Sequence, residues 1–189
     1  MIDGPYHLAR FRAEHGQAVA SWVVSRSELL MVAPLTSPPL TGDKVRAWTY
    51  GPERGYVYVD GDGEPVAYGE LNPMPNRPRA LWVGHFMVAP HARSRNVGRR
   101  FLRALLTEGF ERRRAESVGL VVFPTNEAAI RCYRSVGFVD AGPQYRRFPG
   151  SWRRHELRFM QIFRAEYERR PRSRRPEVSV AGYEPTYTR

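Results

Sequence analysis

The feature that most constrains this chain is an apolar run, Ala80–Val88 (ALWVGHFMV), followed by a short polar loop and a long amphipathic stretch. The run predicts a β-strand, and Val97–Arg113 predicts a helix because its apolar residues recur at helical spacing. Those apolar residues are Val97, Phe101, Leu102, Leu105, Leu106 and Phe110. Ser117–Phe123 (SVGLVVF) is nearly all apolar, as in a strand buried on both faces. Together these segments predict a strand–helix–strand unit of an α/β fold.

The N-terminal part predicts short helices and an antiparallel hairpin. Asp-Gly dipeptides between Gly55–Val59 and Pro65–Leu71 supply the positive φ that a tight hairpin turn needs. Apolar residues near helical spacing predict a single helix over Gln17–Leu30. The other predicted elements are a strand over Tyr6–Arg12, a short helix from Thr41 to Trp48, and proline-rich loops over Val32–Leu40 and Asn72–Pro78.

The C-terminal part predicts one more helix and two extended segments. Asn126–Val136 is the helix, with Asn126 as N-cap and Gly137 just past its end. Phe138 opens an extended stretch, and Glu156–Phe163 is the last predicted strand. Hairpins followed by strand–helix units predict a mixed α/β sheet in a single domain over residues 1–163. Residues 164–189 are expected to form a tail with little order.

Composition excludes several classes of protein. The chain has 189 residues, of which 42% are apolar, enough for one sizeable core. No apolar run approaches the ~18 residues of a membrane span, and the N-terminus lacks the pattern of a secretory signal. Cys132 is the single cysteine, so it can form no internal disulfide and no zinc site alone, and we expect no metal. A reducing cytoplasm fits this usage.

Positive charge is concentrated at the C-terminal end. The net charge is +11, and residues 146–189 hold 12 basic against 5 acidic side chains. The densest group is Arg169, Arg170, Arg172, Arg174 and Arg175. We interpret this group as a solvated tail, with contact to nucleic acid or an acidic partner as the alternative.

The loop between the Ala80–Val88 strand and its helix has the composition of a phosphate-binding turn. Main-chain N–H groups at a helix start have no partner within the helix and lie at the positive end of its dipole. Gly98 permits close approach of a ligand to the backbone, and Asn96 tolerates a left-handed conformation. The alternative is an ordinary helix start with solvated arginines.

A second informative segment begins at Asn126. Asn126 and Tyr133 are separated by two helical turns and can share one side of the helix. Taken alone, Asn126 could be a plain N-cap and Tyr133 a half-buried aromatic residue.

The two segments together resemble the GNAT superfamily of acyl-CoA-dependent N-acyltransferases. The matching patterns are V-A-P-x-x-R-x-x-N-x-G-R, then a helix and a buried strand, then N-x-A-A-I-x-x-Y-x-x-x-G-F. The resemblance follows the element order over residues 6–163 and is specific over residues 81–138. It implies a mixed, mostly antiparallel sheet with a central splayed strand pair, flanked by helices. One departure is Asn96, which stands where the family's R/Q-x-x-G-x-G/A loop has its first glycine.

The resemblance implies acetyl-CoA as the acyl donor and gives roles to individual residues. Main chain around Phe86, Met87 and Val88 would pair with the pantetheine arm and polarise the thioester carbonyl. Asn126 would contact the cofactor arm, and Tyr133 would be the general acid toward the leaving thiolate. The pyrophosphate-binding loop would comprise Arg93, Ser94, Arg95, Asn96, Val97, Gly98 and Arg99.

A base must also take a proton from the acceptor amine, and two residues are candidates. Glu70 lies on the strand before the cofactor-binding strand, and His85 lies on the cofactor-binding strand itself. Histidine is the side chain whose charge changes near neutral pH. Strict alternation puts His85 on the face opposite Trp82 and Gly84, away from the face where relatives carry a base; a β-bulge would reverse that.

The sequence therefore predicts a GNAT-type N-acetyltransferase that transfers an acetyl group directly to a primary amine. The alternative is a CoA-binding sensor or scaffold whose basic tail contacts nucleic acid or an acidic partner. The proline-rich loops with Trp22, Trp48 and Trp82 are candidate acceptor-site walls and suit a peptide or a hydrophobic amine. A polyamine, an amino acid, an antibiotic and a protein N-terminus stay open. We expect a cytoplasmic monomer or homodimer.

Overall fold

The computed structural model describes residues 6–49 and 54–169. Seven strands form one sheet in the order β1-β2-β3-β4-β5-β7-β6. The strands are β1 (His7–Arg10), β2 (Gly55–Val59), β3 (Pro65–Pro73), β4 (Ala80–Val88), β5 (Ser117–Val122), β6 (Val139–Arg146) and β7 (His155–Phe163). All neighbours are antiparallel except β4 and β5, which are parallel. The predicted mixed, mostly antiparallel sheet is confirmed.

Helices cover both faces of the sheet. They are α1 (Gly16–Ser21), α2 (Arg26–Val32), α3 (Gly42–Trp48), α4 (Val97–Thr107), α5 (Glu127–Val136) and α6 (Arg164–Glu168), with a π-helical extension of α4 over Glu108–Arg112. On one face Trp48 of α3 contacts Tyr68 of β3, with ring centroids 6.1 Å apart. On the other face Phe101 of α4 lies against Gly69. In the described part of the chain no helix is long and apolar enough to cross a membrane.

The central strands β4 and β5 separate after a short paired segment. They pair only where Ala80–Trp82 meets Ser117–Gly119. Beyond that point β4 keeps its partner β3, and β5 keeps its partner β7. The facing edges of β4 and β5 are left apart, which confirms the predicted splayed pair.

The segment predicted as one helix over Gln17–Leu30 is two helices, so that prediction is wrong. Ser25 has an extended backbone (φ −142°, ψ 158°), and its hydroxyl accepts a hydrogen bond from Glu28 N. The Glu28 carboxylate in turn accepts from Val24 N at 2.9 Å. These two caps satisfy main-chain donors that a continuous helix would have bonded internally, and they start α2 afresh.

A β-bulge in β4 overturns the strict alternation assumed for His85. Tyr68 pairs with Met87 and Glu70 pairs with Gly84, so Gly69 stands opposite both His85 and Phe86. His85 is the extra residue of this bulge, and its backbone has a positive φ of 42°. The bulge turns its side chain to the face that carries Glu70, and the prediction that it points away is wrong.

The chain continues as ordered structure past Phe163. Arg164 donates hydrogen bonds to Phe110 O and to Ala115 O. The Tyr167 ring is buried and stacks on Phe110 with centroids 4.8 Å apart. The expectation of little order after Arg164 is therefore wrong for residues 164–169. The arginine-rich group from Arg170 onward lies outside the described residues.

Candidate active site

A cleft of about 840 Å³ opens where β4 and β5 separate. It extends from the loop before α4, between the two strands, to a wall formed by α2 and by Trp22 and Val23, which follow α1; this is the α1–α2 wall. The predicted site residues that line it are His85, Phe86, Met87, Val88, Arg93, Ser94, Asn96, Val97, Gly98, Arg99, Asn126 and Tyr133. Glu70 lies behind His85, and Arg95 is exposed outside the lining.

The loop before α4 presents a row of unpaired main-chain donors. Within the described chain, no main-chain N–H group from Ser94 to Arg99 donates to a protein acceptor. Two residues, Ser94 (φ 61°) and Asn96 (φ 60°), are left-handed, and their turns aim successive N–H groups outward. Asn96, which stands where the family pattern has its first glycine, is thus in the conformation that glycine adopts most easily. This loop has the donors and the helix-dipole charge to hold a diphosphate.

Gly98 lets the first turn of α4 approach β4 closely. A Cβ at this position would lie 3.2 Å from Val88 Cγ2 and 3.7 Å from Cys132 Sγ. A larger side chain would displace its neighbours or fill the cleft. Arg99, one residue after Gly98, adds positive charge to this part of the lining, and Arg131 lines the cleft from α5, where it is paired with Glu127 at 3.0 Å. The residues present therefore fit the pyrophosphate of coenzyme A.

The Arg93 side chain forms hydrogen bonds to Glu28 of α2 and to Val88 of β4, which the sequence did not predict. Its guanidinium donates to Glu28 Oε1 at 2.9 Å, and its Nε donates to Val88 O at 3.1 Å. Hydrogen bonds from Val24 N and Arg93 lower the pKa of Glu28. Arg93 thus ties the loop to α2, and its side chain has little left to offer a phosphate.

The start of α5 faces the other side of the cleft. The Asn126 Oδ1 atom accepts from Ala129 N at 3.2 Å and caps the helix. Arg99 Nε donates to Ser135 Oγ at 3.0 Å, which connects α4 to α5 across the site. Asn126 is therefore an N-cap that also lines the cleft.

Tyr133 lies deep in this wall with an available hydroxyl. Its ring makes an edge contact with Phe86, centroids 5.8 Å apart, beside the bulge. Burial raises its pKa well above the ordinary value, so the phenol stays protonated at neutral pH. Among the described residues no group hydrogen-bonds this hydroxyl. A buried, protonated and unpartnered hydroxyl in a cleft is suited to donate a proton.

Cys132, the neighbour of Tyr133, is unsuited to carry an acyl group. Burial raises the pKa of its thiol, and the charge of Arg99 offsets this only in part. A thiol kept protonated is a poor nucleophile.

Glu70 and His85 form a hydrogen-bonded pair on the α1–α3 face of the sheet. His85 Nδ1 lies 2.8 Å from Glu70 Oε1. Burial acts to raise the pKa of Glu70, but the hydrogen bonds from His85, Asn72 and Tyr68, together with the charge of His85 in its protonated form, outweigh it, and the net pKa is lowered. An ionised carboxylate only accepts, so Nδ1 is the donor in this bond and Nε2 carries the free lone pair. Nε2 has no partner in the described part of the chain.

Three further side chains hold this pair, and sequence reasoning missed them. Tyr68 and Asn72 donate to Glu70 at 2.7 Å and 2.8 Å. Their spacing of two residues on either side of Glu70 places them on one face of a strand, a signal that the sequence does contain. Trp48 stacks on His85 with centroids 4.1 Å apart, and Trp48 Nε1 donates to Thr36 Oγ1 at 2.9 Å. No local pattern connects Trp48 to His85.

Only some of the residues predicted as acceptor-site walls lie along the cleft. Trp22 and Val32 line the cleft, and Trp48 contacts it through His85. Trp82 instead stacks on Phe159 of β7, with centroids 6.3 Å apart, and lies outside the lining.

Comparison with known proteins places this site in context. Residues 22–138 match the model of the acetyltransferase (GNAT) family. Among solved structures, the chain is similar to the spermidine N-acetyltransferase of Vibrio cholerae in complex with CoA and spermine, with a TM-score of 0.72 and 18% identity over 86% of this chain and 98% of that one. It is also similar to a GNAT-family acetyltransferase from Bacillus anthracis, with a TM-score of 0.70 and 15% identity over 86% and 97% of the two chains.

Proposed function

The chain belongs to the GNAT family of acetyltransferases and is an enzyme that transfers an acetyl group from acetyl-CoA to an amine, and from this premise we propose that His85 is its general base, supported by Glu70, and that Tyr133 is its general acid. The hydrogen bond between His85 Nδ1 and Glu70 Oε1 carries the proposal. The family membership favours catalysis over the alternative of a CoA-binding sensor.

The cosubstrate is held by main chain more than by side chains. The unpaired N–H groups from Ser94 to Arg99 bind the pyrophosphate, and Gly98 leaves room for it. The free edge of β4 around Phe86–Val88 offers N–H and C=O groups to the amides of the pantetheine arm, in the manner of an added strand. Bound there, acetyl-CoA supplies the thioester from which the acetyl group is transferred.

His85, the bulge residue, accepts the first proton that is transferred. The acceptor ammonium gives one proton to Nε2 of His85, and the resulting imidazolium is stabilised by the carboxylate of Glu70. The neutral amine nitrogen then forms a bond to the acetyl carbon, and the bond from that carbon to sulfur breaks. Tyr133 gives its hydroxyl proton to the sulfur, and the second proton that the nitrogen loses as it becomes the amide restores that hydroxyl, while the His85 imidazolium releases its proton to solvent. Main-chain N–H groups of β4 stabilise negative charge on the acetyl oxygen.

A matched pair of histidine variants tests the base. His85→Gln should lower kcat/KM by about 10²-fold or more, the range of general base catalysis. The base works deprotonated, so removing it should change the dependence of kcat/KM on pH. The rate of release of free CoA thiol measures kcat/KM and its pH dependence for the wild type and the variant.

His91→Gln is the control, because His91 is exposed and lies outside the cleft lining. It should retain activity and the pH profile. An unchanged profile in His85→Gln would show that another group takes the proton.

Two narrower expectations from the sequence stay predictions. One is a cytoplasmic location, and the other is a monomer or homodimer. The proposed interaction of the arginine-rich tail with nucleic acid has no observation in its favour, because that tail lies outside the described residues.

A further inference from the structure

We infer that the acceptor is a primary monoamine with an apolar body, an alkylamine or arylalkylamine, and not a polyamine. The inference rests on the proposed function, because it starts from the position of His85 as the group the amine must reach. Three observations carry it: where the base lies, which charges line the cleft, and what the α2 wall is made of.

The position of His85 determines the side from which the amine arrives. The bulge puts this side chain on the face that bears α1 and α3, against Trp48. Phe86 and Gly98 lie on the α4 side. An amine that approaches Nε2 of His85 therefore meets the wall that α1 and α2 place beside β4.

The charges of the cleft do not suit a polycation. Within the described lining Glu28 is the one carboxylate, and it is paired with Arg93 at 2.9 Å. Glu70 is buried behind His85, where its oxygens accept three hydrogen bonds. Arg93 is the one cation among the lining residues contributed by the described α1–α2 wall and the loop beside it, since Arg99 and Arg131 belong to the α4–α5 side and Arg131 is paired with Glu127 at 3.0 Å. A second ammonium group would lose water without gaining a carboxylate, while a single ammonium can be served by the His85–Glu70 pair.

The α1–α2 wall is mostly apolar and partly open. Its apolar lining residues are Trp22, Val23, Met31 and Val32. Met31 is 37% exposed, so this part of the wall is accessible to a bound molecule. An apolar body beyond the amine would cover this surface. The guanidinium of Arg93 is already bonded, so the wall offers no free cation to the carboxylate of an amino acid.

Paired amines of equal length test the inference with the wild-type enzyme. Hexylamine and cadaverine have the same number of heavy atoms. Hexylamine ends in a methyl group, and cadaverine ends in a second ammonium group at the same position. We expect kcat/KM for hexylamine to exceed that for cadaverine by tenfold or more. From propylamine to hexylamine, kcat/KM should rise by up to about fourfold per methylene, the gain expected from burying one CH₂ group. Thiol release is the readout.

A pair of variants on α2 tests the wall itself. Met31→Glu should reduce the preference for hexylamine over cadaverine by about fivefold or more, since it places a carboxylate at the wall. Leu30→Glu is the control: Leu30 is 38% exposed, close to the value for Met31, but lies outside the lining. It should leave the preference unchanged.

Four results would overturn the inference. They are equal or better use of cadaverine, kcat/KM that does not depend on alkyl length, no turnover of the apolar amines, and equal effects of the two α2 variants on the preference. Failure of the base assignment is separate, because it would appear as retained activity in His85→Gln with whichever amine the enzyme uses.

Discussion

His85 shows how one backbone angle can determine the chemistry of a site. Its φ of 42° lies in a region that costs a non-glycine residue of the order of 1–3 kcal/mol. The hydrogen bond to Glu70 and the stacking on Trp48 hold the residue in that conformation. Without the bulge, the imidazole would lie on the α4 side and the buried carboxylate would have no ring to support.

Tyr133 is the residue at which acid catalysis can be separated from binding. Tyr133→Phe removes a hydroxyl that has no partner in the described chain, so the fold should be unchanged and the affinity for CoA should change by less than about twofold. The kcat should fall by about 10²-fold, because the proposed general acid is lost. Titration calorimetry with CoA and steady-state thiol release measure the two quantities.

Tyr145→Phe is the matched control, because Tyr145 is half exposed on β6, away from the cleft. An equal loss of CoA affinity and kcat in Tyr133→Phe would contradict the role of general acid.

At the scale of elements, local signals predicted most of the site and tertiary pairing decided the rest. The strand β4, the loop and α4 follow from apolar spacing and glycine, and Asn126 and Gly137 correctly mark the ends of α5. The bulge could not be read from the sequence of β4, because it arises in the pairing of that strand with β3. The break between α1 and α2 was missed although Ser25 and Glu28 have the spacing of a capping box.

The loop before α4 gives a prediction about cofactor binding. Gly98→Val should weaken CoA binding by tenfold or more, because its Cβ would already lie 3.2 Å from Val88 and the branched carbons beyond would reach the cleft. Calorimetric titration with CoA measures the loss, and thermal unfolding of the free protein checks the fold.

Asn96→Gly changes the same loop without adding bulk. Its left-handed conformation is easy for glycine, so affinity should be preserved within a few-fold. Unchanged CoA affinity in Gly98→Val would remove the loop from the binding site.

At the scale of the molecule, contacts between distant segments complete the domain. Trp48 and Thr36 come from the N-terminal third and hold His85 in the middle of the chain. The helix α6 returns to the π-helical end of α4, where the Tyr167 hydroxyl donates to Glu111 Oε1 at 2.8 Å. Such contacts have no local sequence signature, which explains why neither Trp48 nor α6 was predicted in its role.

Two truncations test how far the domain extends. Removing residues 164–189 deletes the buried Tyr167 ring, and loss of a buried aromatic side chain costs about 3 kcal/mol, or about 6–12 °C in Tm. Removing residues 170–189 keeps α6 and should change Tm by less than about 2 °C. Scanning calorimetry compares them, and equal Tm values for both truncations would place the end of the domain at Phe163.

The short contact between β4 and β5 has a mechanical consequence. The sheet consists of two halves, β1–β4 and β5–β7, that are joined by three residue pairs between β4 and β5. Beyond these pairs the facing edges of the two strands are not paired with each other. With the cosubstrate bound at the edge of β4 as proposed, the ligand would bridge the two halves of the sheet. We therefore expect coenzyme binding to lower the mobility of the halves relative to each other, and coenzyme release to restore it.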